Sequence, residues 1–283
     1  MTRTLQGALL ALTATLFFTM AAALVKEASI TAPILMIVFF RQLGVFLSTA
    51  PLLIRNPSAM RTKRPGLHAL RVTGAFVGIS AGFWAVSVLP LTLVTVLEFS
   101  RVFFVVLIGA FILGEGVGPR RLTAVAIGFV GVVIAIRPGS EGLNDPHVFI
   151  PLVGAMGAAV ALSCVRVLSQ TERSETLLLY QSLAVGLPAA LALPFVWTPQ
   201  SAEGWVLIAL IALVSAIGQW IGVASIRRAE ITIISGLEYV RLIYAALLGY
   251  LFFAETPDGA TWIGAGLIIV SGVIILWRER KSA

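Results

Sequence analysis

Ten apolar runs, each long enough to cross a lipid bilayer, occupy most of this chain. They lie near residues 5–25, 32–54, 67–88, 91–112, 121–137, 147–168, 176–197, 203–224, 231–253 and 260–277. A spanning helix needs about 20 mostly apolar residues, because in lipid every backbone N–H and C=O must be paired within the segment. The 283 residues hold ten of these, and the connections are too short for a soluble domain. With 59% hydrophobic residues, 12% charged ones and a mean hydropathy of +1.00, a water-exposed surface is excluded. Turn formers sit between the runs: Pro33, Pro57, Pro65, Pro90, Pro119, Pro138 with Gly139, Pro146, Pro199 and Pro257. The first run reads as a helix rather than a cleaved leader, since nine similar runs follow it.

Positive charge gives the orientation. With a cytoplasmic N-terminus, that side carries Arg3, Arg55, Arg61, Lys63, Arg64, Arg71, Arg120, Arg121, Arg166, Arg173, Arg227, Arg228, Arg278, Arg280 and Lys281, and the other side only Lys26 and Arg137. This bias predicts both termini in the cytoplasm of a bacterial inner (plasma) membrane protein. The net charge of +7 is therefore read as topology signal, with no nucleic-acid partner. Cys164, the single cysteine, lies in an apolar run and reads as a small packing residue.

Arg41, Arg101 and Arg241 belong to no loop. Their context exposes an internal repeat: Glu98-Phe99-Ser100-Arg101 recurs as Glu238-Tyr239-Val240-Arg241, Gly109 as Gly249 and Glu115 as Glu255, at a constant offset of 140. Gly78 and Gly82 reappear as Gly218 and Gly222 at that offset, Gly131–Arg137 matches Gly272–Arg278 after one added residue, and Gln42 aligns with Gln181 at offset 139. The chain thus divides into residues 1–139 and 140–283. Five helices per copy is an odd number, so the second copy enters from the opposite side. Inverted repeats let two related halves exchange inward-open and outward-open arrangements around one central site.

Arginine at the bilayer centre costs about 2.5–3.5 kcal/mol by insertion scales, so the midplane charges mark either a cavity or buried pairs. Glu98 and Arg101 are three residues apart, as are Glu238 and Arg241, so each pair shares a helix face and can neutralise itself locally. On that reading the pairs only let charged helices insert. On the functional reading the five groups line a water-filled cavity, where three arginines against two glutamates favour an anionic or zwitterionic solute. Arg41 has no local carboxylate partner and is the best single candidate for a substrate contact. Glu98 or Glu238 is where proton coupling would run. Trp84, Tyr180, Tyr239 and Tyr244 complete the candidate substrate-binding set, and Phe40, Phe99 and Trp220 are further aromatics near the same depth. Tyr180 and Gln181 stand where Arg41 and Gln42 stand in the first copy. Gly74, Gly78 and Gly82, with Gly218 and Gly222, form small-residue steps for helix packing within one chain or in a homodimer. His68 and His147 fall at helix ends, where an interfacial, solvated role is expected. No metal-ligand spacing, phosphate loop or nucleophile and base set is assembled, so neither a cofactor nor an enzyme is expected.

Phe39-Phe40-Arg41, Leu113-Gly114-Glu115, Arg121, Gly131 to Pro138, and Leu248-Gly249 through Phe253-Ala254-Glu255-Thr256-Pro257 together resemble the drug/metabolite transporter superfamily, in its EamA-like ten-helix branch, over nearly the whole chain. The resemblance implies an inverted-repeat fold around a central cavity lined mainly by the first, third, fourth, sixth, eighth and ninth helices. It implies electrochemically driven transport without cofactor or ATP. Relatives carry amino acids, purines, vitamins, S-adenosylmethionine, sugars, metallophores or drugs, in either direction. Many have proline where this chain has Arg101, so a straighter fourth helix and a more basic pocket are expected here. The resulting expectation is a secondary transporter of a small anionic or zwitterionic metabolite, such as an amino acid or a nucleoside-linked compound. The alternatives are a broad drug exporter, a vitamin or S-adenosylmethionine uptake permease, an intramembrane enzyme acting on a lipid-linked substrate, and a passive channel.

Overall fold

The computed structural model describes residues 3–55, 62, 64–111, 119–136, 145–168, 171–172, 174–226, 228 and 237–282. Arg61, Lys63, Pro57, the Leu113–Gly114–Glu115 triplet, Arg137, Pro138, Gly139, Arg173 and Arg227, on which parts of the sequence reading rest, lie outside these residues. Among the described residues the regular structure is helical: α1 (Arg3–Ala28), α2 (Ile34–Arg55), α3 (Pro65–Val88), α4 (Leu91–Glu98), α5 (Arg101–Phe111), α6 (Pro119–Ile136), α7 (Ile150–Leu168), α8 (Ser174–Val196), α9 (Ala202–Ile226), α10 (Val240–Phe253) and α11 (Gly259–Ser282). A 3-10 turn, Pro146–Phe149, precedes α7. Among the described residues seven spans are long and apolar enough to cross a membrane, with α4 and α5 forming one of them (Leu91–Gly109), and Val125–Ile136, Val240–Phe253 and Gly259–Ser271 are shorter apolar helices. The protein is an all-α, multi-pass membrane protein of two inverted five-helix repeats.

The principal helix contacts join one repeat to the other: α1 lies on α9, α3 on α7, α2 on α8 and α6 on α11. Exchanging the repeats turns the first contact into the second and maps the other two onto themselves, as a two-fold axis between the halves requires. Small residues make the closest approaches, because association in lipid depends on tight van der Waals packing. A methyl group on Gly74 would lie 2.7 Å from the Gly157 main-chain oxygen, and one on Gly264 would lie 2.6 Å from that of Gly131. The small-residue steps of α3 are thus used within the chain. Gly218 and Gly222 lie against Phe17, Phe18 and Ala14 of α1.

Loop contacts agree with the alternating topology. Thr31 Oγ1 and Gln200 Oε1 meet at 3.1 Å, tying the α1–α2 connection to that between α8 and α9 at one face. At the other face Thr62 donates to Glu172 at 2.7 Å. Asp145 caps the 3-10 turn by accepting from the His147 backbone N–H at 2.9 Å, and this bond holds its carboxyl below the usual aspartate range.

The fourth span is interrupted rather than one continuous helix. Helix α4 stops at Glu98 and α5 begins at Arg101. Across the stop the chain tightens to i→i−3 bonds, from Phe99 N to Val96 O at 3.2 Å and from Val102 N to Phe99 O at 3.1 Å. The ninth span repeats the device, with Arg241 N bonded to Glu238 O at 2.9 Å and Leu242 N to Tyr239 O at 3.1 Å. No proline is needed at Arg101 for this interruption.

Candidate substrate site

Each interruption sits beside a Glu–Arg pair, and the pairs close between repeats rather than within a helix. Arg101 Nη2 lies 2.7 Å from Glu238 Oε2, and Arg241 Nη2 lies 2.9 Å from Glu98 Oε2. The expected local pairs, Glu98 with Arg101 and Glu238 with Arg241, are therefore corrected to a reciprocal exchange. The reason is geometric: at a break the i,i+3 side chains no longer share one regular helix face. Between the pairs Phe99 and Tyr239, themselves equivalent in the two repeats, stack with centroids 5.0 Å apart.

These pairs are not sealed. The side chains of Arg101 and Glu238 are 30% and 46% exposed, and those of Arg241 and Glu98 25% and 22%. Both arginines keep open surface at the middle of spanning segments, where a lipid-facing charge would be costly.

Arg41 is different in kind. Among the described residues no carboxylate lies within ion-pair distance of it. Its Nη1 donates to Gln42 Oε1, and its guanidinium lies over the Phe83 ring with Cζ 5.6 Å from the centroid. Phe83 is the neighbour in α3 of Gly82, whose missing side chain leaves room for the Glu98 carboxylate; a methyl group there would lie 2.7 Å from Glu98 Oε1. One turn of α3 thus backs both Arg41 and the Glu98–Arg241 pair.

The structure gathers Glu98, Arg101, Glu238, Tyr239 and Arg241 around these breaks, and Arg41 is linked to them through Phe83 and Gly82 of α3. Tyr244 is half-buried one turn beyond Arg241 on α10. Tyr180 is elsewhere, stacked on His68 at 4.3 Å toward the ends of α3 and α8. Trp84 is half-exposed and meets His147 edge-on at 6.5 Å near the end of α3. Phe40 packs with Trp197 and Trp205 at 6.3 and 5.2 Å, and Trp220 is partly exposed on α9. His68 corrects a second expectation: it is buried rather than solvated, because the first turn of α3 faces α8.

Sequence reasoning missed several polar residues. Arg71, counted with the cytoplasmic loop charges, is buried in α3 and donates to Leu177 O and Gln181 Oε1, both at 2.8 Å. Lys26, counted as a loop charge on the other face, bonds Leu89 O and Glu255 Oε1, each at 2.7 Å. The second Glu255 oxygen accepts from Leu91 N at 2.7 Å and so caps α4. The sequence signal for Lys26 was a lone cation at a helix end facing an acidic residue at the end of another.

Similarity to known proteins runs along the whole chain. The EamA-like transporter family matches residues 5–137 and again 147–277. The pseudopaline exporter CntI of Pseudomonas aeruginosa is 30% identical over 283 residues, covering 98% of this chain and 97% of its own. The riboflavin transporter of Rhizobium johnstonii is 30% identical over 251 residues, covering 86% and 83%. The S-adenosylmethionine uptake transporter of Rickettsia prowazekii is 27% identical over 236 residues, covering 80% and 76%. A solved crystal structure shares the fold with a TM-score of 0.67 at 18% identity, over 99% of this chain and 100% of its own. With a family match in each half and transporters as full-length relatives, the chain belongs to the EamA-like transporter family and is a membrane transporter, not an enzyme.

Proposed function

We propose that the protein carries a small anionic or zwitterionic metabolite, such as an amino acid or a nucleoside-linked compound, across a bacterial inner membrane. Residues 1–139 and 140–283 rock against each other around the midplane charges, with both termini cytoplasmic. One observation carries the substrate class. Arg101 and Arg241 have carboxylates from the opposite repeat, whereas among the described residues Arg41 is held by an amide and an aromatic ring and by no carboxylate, so its charge is free for a solute. A planar guanidinium in that state suits a carboxylate or phosphate. Tyr239 supplies a stacking surface beside the two pairs.

Glu98 and Glu238 supply a coupling route. Protonating either carboxyl would release the arginine it neutralises and loosen one contact between repeats, so an inward proton gradient would drive the exchange of states.

The test is flux into proteoliposomes from a metabolite mixture, followed with Arg41→Ala. Loss of saturable flux by a protein that still inserts and melts normally is expected; full flux in the variant would remove Arg41 from the site. A second reading, uptake of a vitamin or S-adenosylmethionine-type solute, is favoured by the riboflavin and S-adenosylmethionine relatives. Radiolabelled riboflavin and S-adenosylmethionine in the same vesicles test it.

A further inference from the structure

Gln42 is 2% exposed and stands between Arg41 and the second repeat. A guanidinium only donates, so the bond from Arg41 Nη1 fixes the Gln42 carboxamide with its oxygen toward Arg41. Its Nε2 then faces the Gln181 main-chain oxygen at 3.4 Å, a long bond. Gln181, the residue aligned with Gln42 in the other repeat, is itself held: Arg71 donates to its side-chain oxygen and to Leu177 O one turn earlier, both at 2.8 Å. A continuous polar chain thus runs Arg41, Gln42, Gln181, Arg71, from the middle of α2 across α8 to the first turns of α3.

The choice of an amide is informative. A glutamate at position 42 would grip Arg41 more tightly, as Glu98 and Glu238 grip the other two arginines, but it would cancel the charge. An apolar residue would leave the guanidinium unheld over Phe83. Glutamine orients the group and leaves its charge uncompensated.

We infer that Gln42 is a positioning residue that aims Arg41 at the carboxylate or phosphate of the solute without neutralising it, and that Gln181 and Arg71 hold Gln42 in that orientation. This rests on the reading of Arg41 as the substrate contact. Before a solute arrives, the network leaves Arg41 without a carboxylate partner among the described residues, and anion selectivity depends on residue 42 remaining uncharged.

The experiment melts detergent-purified protein against a fixed panel of amino acids, nucleotides and simple carboxylates, with wild type beside Arg41→Ala, Gln42→Glu and Gln42→Met. The panel anions that stabilise wild type should lose roughly tenfold or more in apparent affinity with Gln42→Glu, a step of about 1.4 kcal/mol. The loss should match that of Arg41→Ala, while the ligand-free melting temperature of Gln42→Glu stays at or above wild type. Gln42→Met, which keeps the shape and removes the bond, should fall between. A merely structural glutamine would instead lower the melting temperature and leave ligand affinity unchanged. Wild-type affinity in Gln42→Glu together with lost affinity in Arg41→Ala overturns this inference alone. Wild-type affinity in both, or no carboxylate or phosphate in the panel stabilising wild type, overturns the reading of Arg41 as well.

Discussion

Glu98 Oε2 lies 2.9 Å from Arg241 Nη2 of the opposite repeat, although Arg101 stands only three residues away on its own span. With the reciprocal Arg101–Glu238 bond at 2.7 Å, the midplane charges become two ties between the halves that must move against each other. Their energies should couple across repeats and not along a helix. In a double-mutant cycle, Glu98→Gln with Arg241→Gln is expected to show an interaction energy of about 0.5–3 kcal/mol, the range for residues in direct contact. Glu98→Gln with Arg101→Gln should be additive. Unfolding in mixed micelles measures both, and the opposite pattern would restore the local pairs.

The difference between those patterns marks how far the sequence could be read. Span number, the two-fold repeat and the depth of Arg41, Arg101 and Arg241 follow from hydropathy and from an offset of 140, because lipid imposes length and polarity rules on every segment. Partner choice does not follow. Spacing of three allowed a local pair, and only the i→i−3 turns at Phe99 and Tyr239, which composition does not announce, open the exchange. His68 and Arg71 were misassigned for a related reason: polarity near a helix end suggests water, and only the neighbouring α8 with Tyr180, Leu177 and Gln181 shows that the face is packed. Gln42 and Gln181 were visible as aligned residues, but not as residues that touch.

Two glycines should respond differently to the same substitution. A methyl group at Gly82 meets the mobile end of Glu98, whereas one at Gly264 meets the Gly131 main chain in the α6–α11 contact. Gly264→Ala is expected to destabilise by about 1–3 kcal/mol, the usual cost of overpacking, because the two helices must separate. Gly82→Ala should melt within about 1 kcal/mol of wild type but displace the carboxylate from Arg241, and so change flux more than stability. Melting curves beside proteoliposome flux separate the two.

Ala254, at the C-cap of α10, has φ 52°, in the left-handed region that side chains other than glycine enter at a cost. Its neighbour Glu255 sends its N–H back to Gly249 O at 3.0 Å, so the turn cannot relax without losing that cap. Ala254→Gly is expected to stabilise by about 0.5–1 kcal/mol, with part of the relieved strain offset by the freer unfolded chain. A melting temperature at or below wild type would contradict it.

Glu255 performs two tasks that a substitution series can separate. One carboxylate oxygen lies 2.7 Å from Lys26 Nζ, and the other accepts from Leu91 N, also at 2.7 Å, at the start of α4. Lys26 in turn bonds Leu89 O, so α1, the α3–α4 connection and the end of α10 meet at one face. Removing the cation with Lys26→Met leaves the cap on α4 but also leaves the carboxylate without its counter-charge. Glu255→Gln keeps an acceptor for Leu91 while removing the charge, and Glu255→Leu removes both. A buried donor left unpaired costs about 1–3 kcal/mol beyond the lost attraction. The expected order of stability is wild type, then Glu255→Gln, then Glu255→Leu, with the charge reversal Lys26→Glu/Glu255→Lys failing to recover wild type because lysine cannot accept from Leu91 N–H. Full recovery in the reversed pair, measured by thermal unfolding in detergent, would mean that the ion pair alone holds this face and that the cap on α4 contributes nothing.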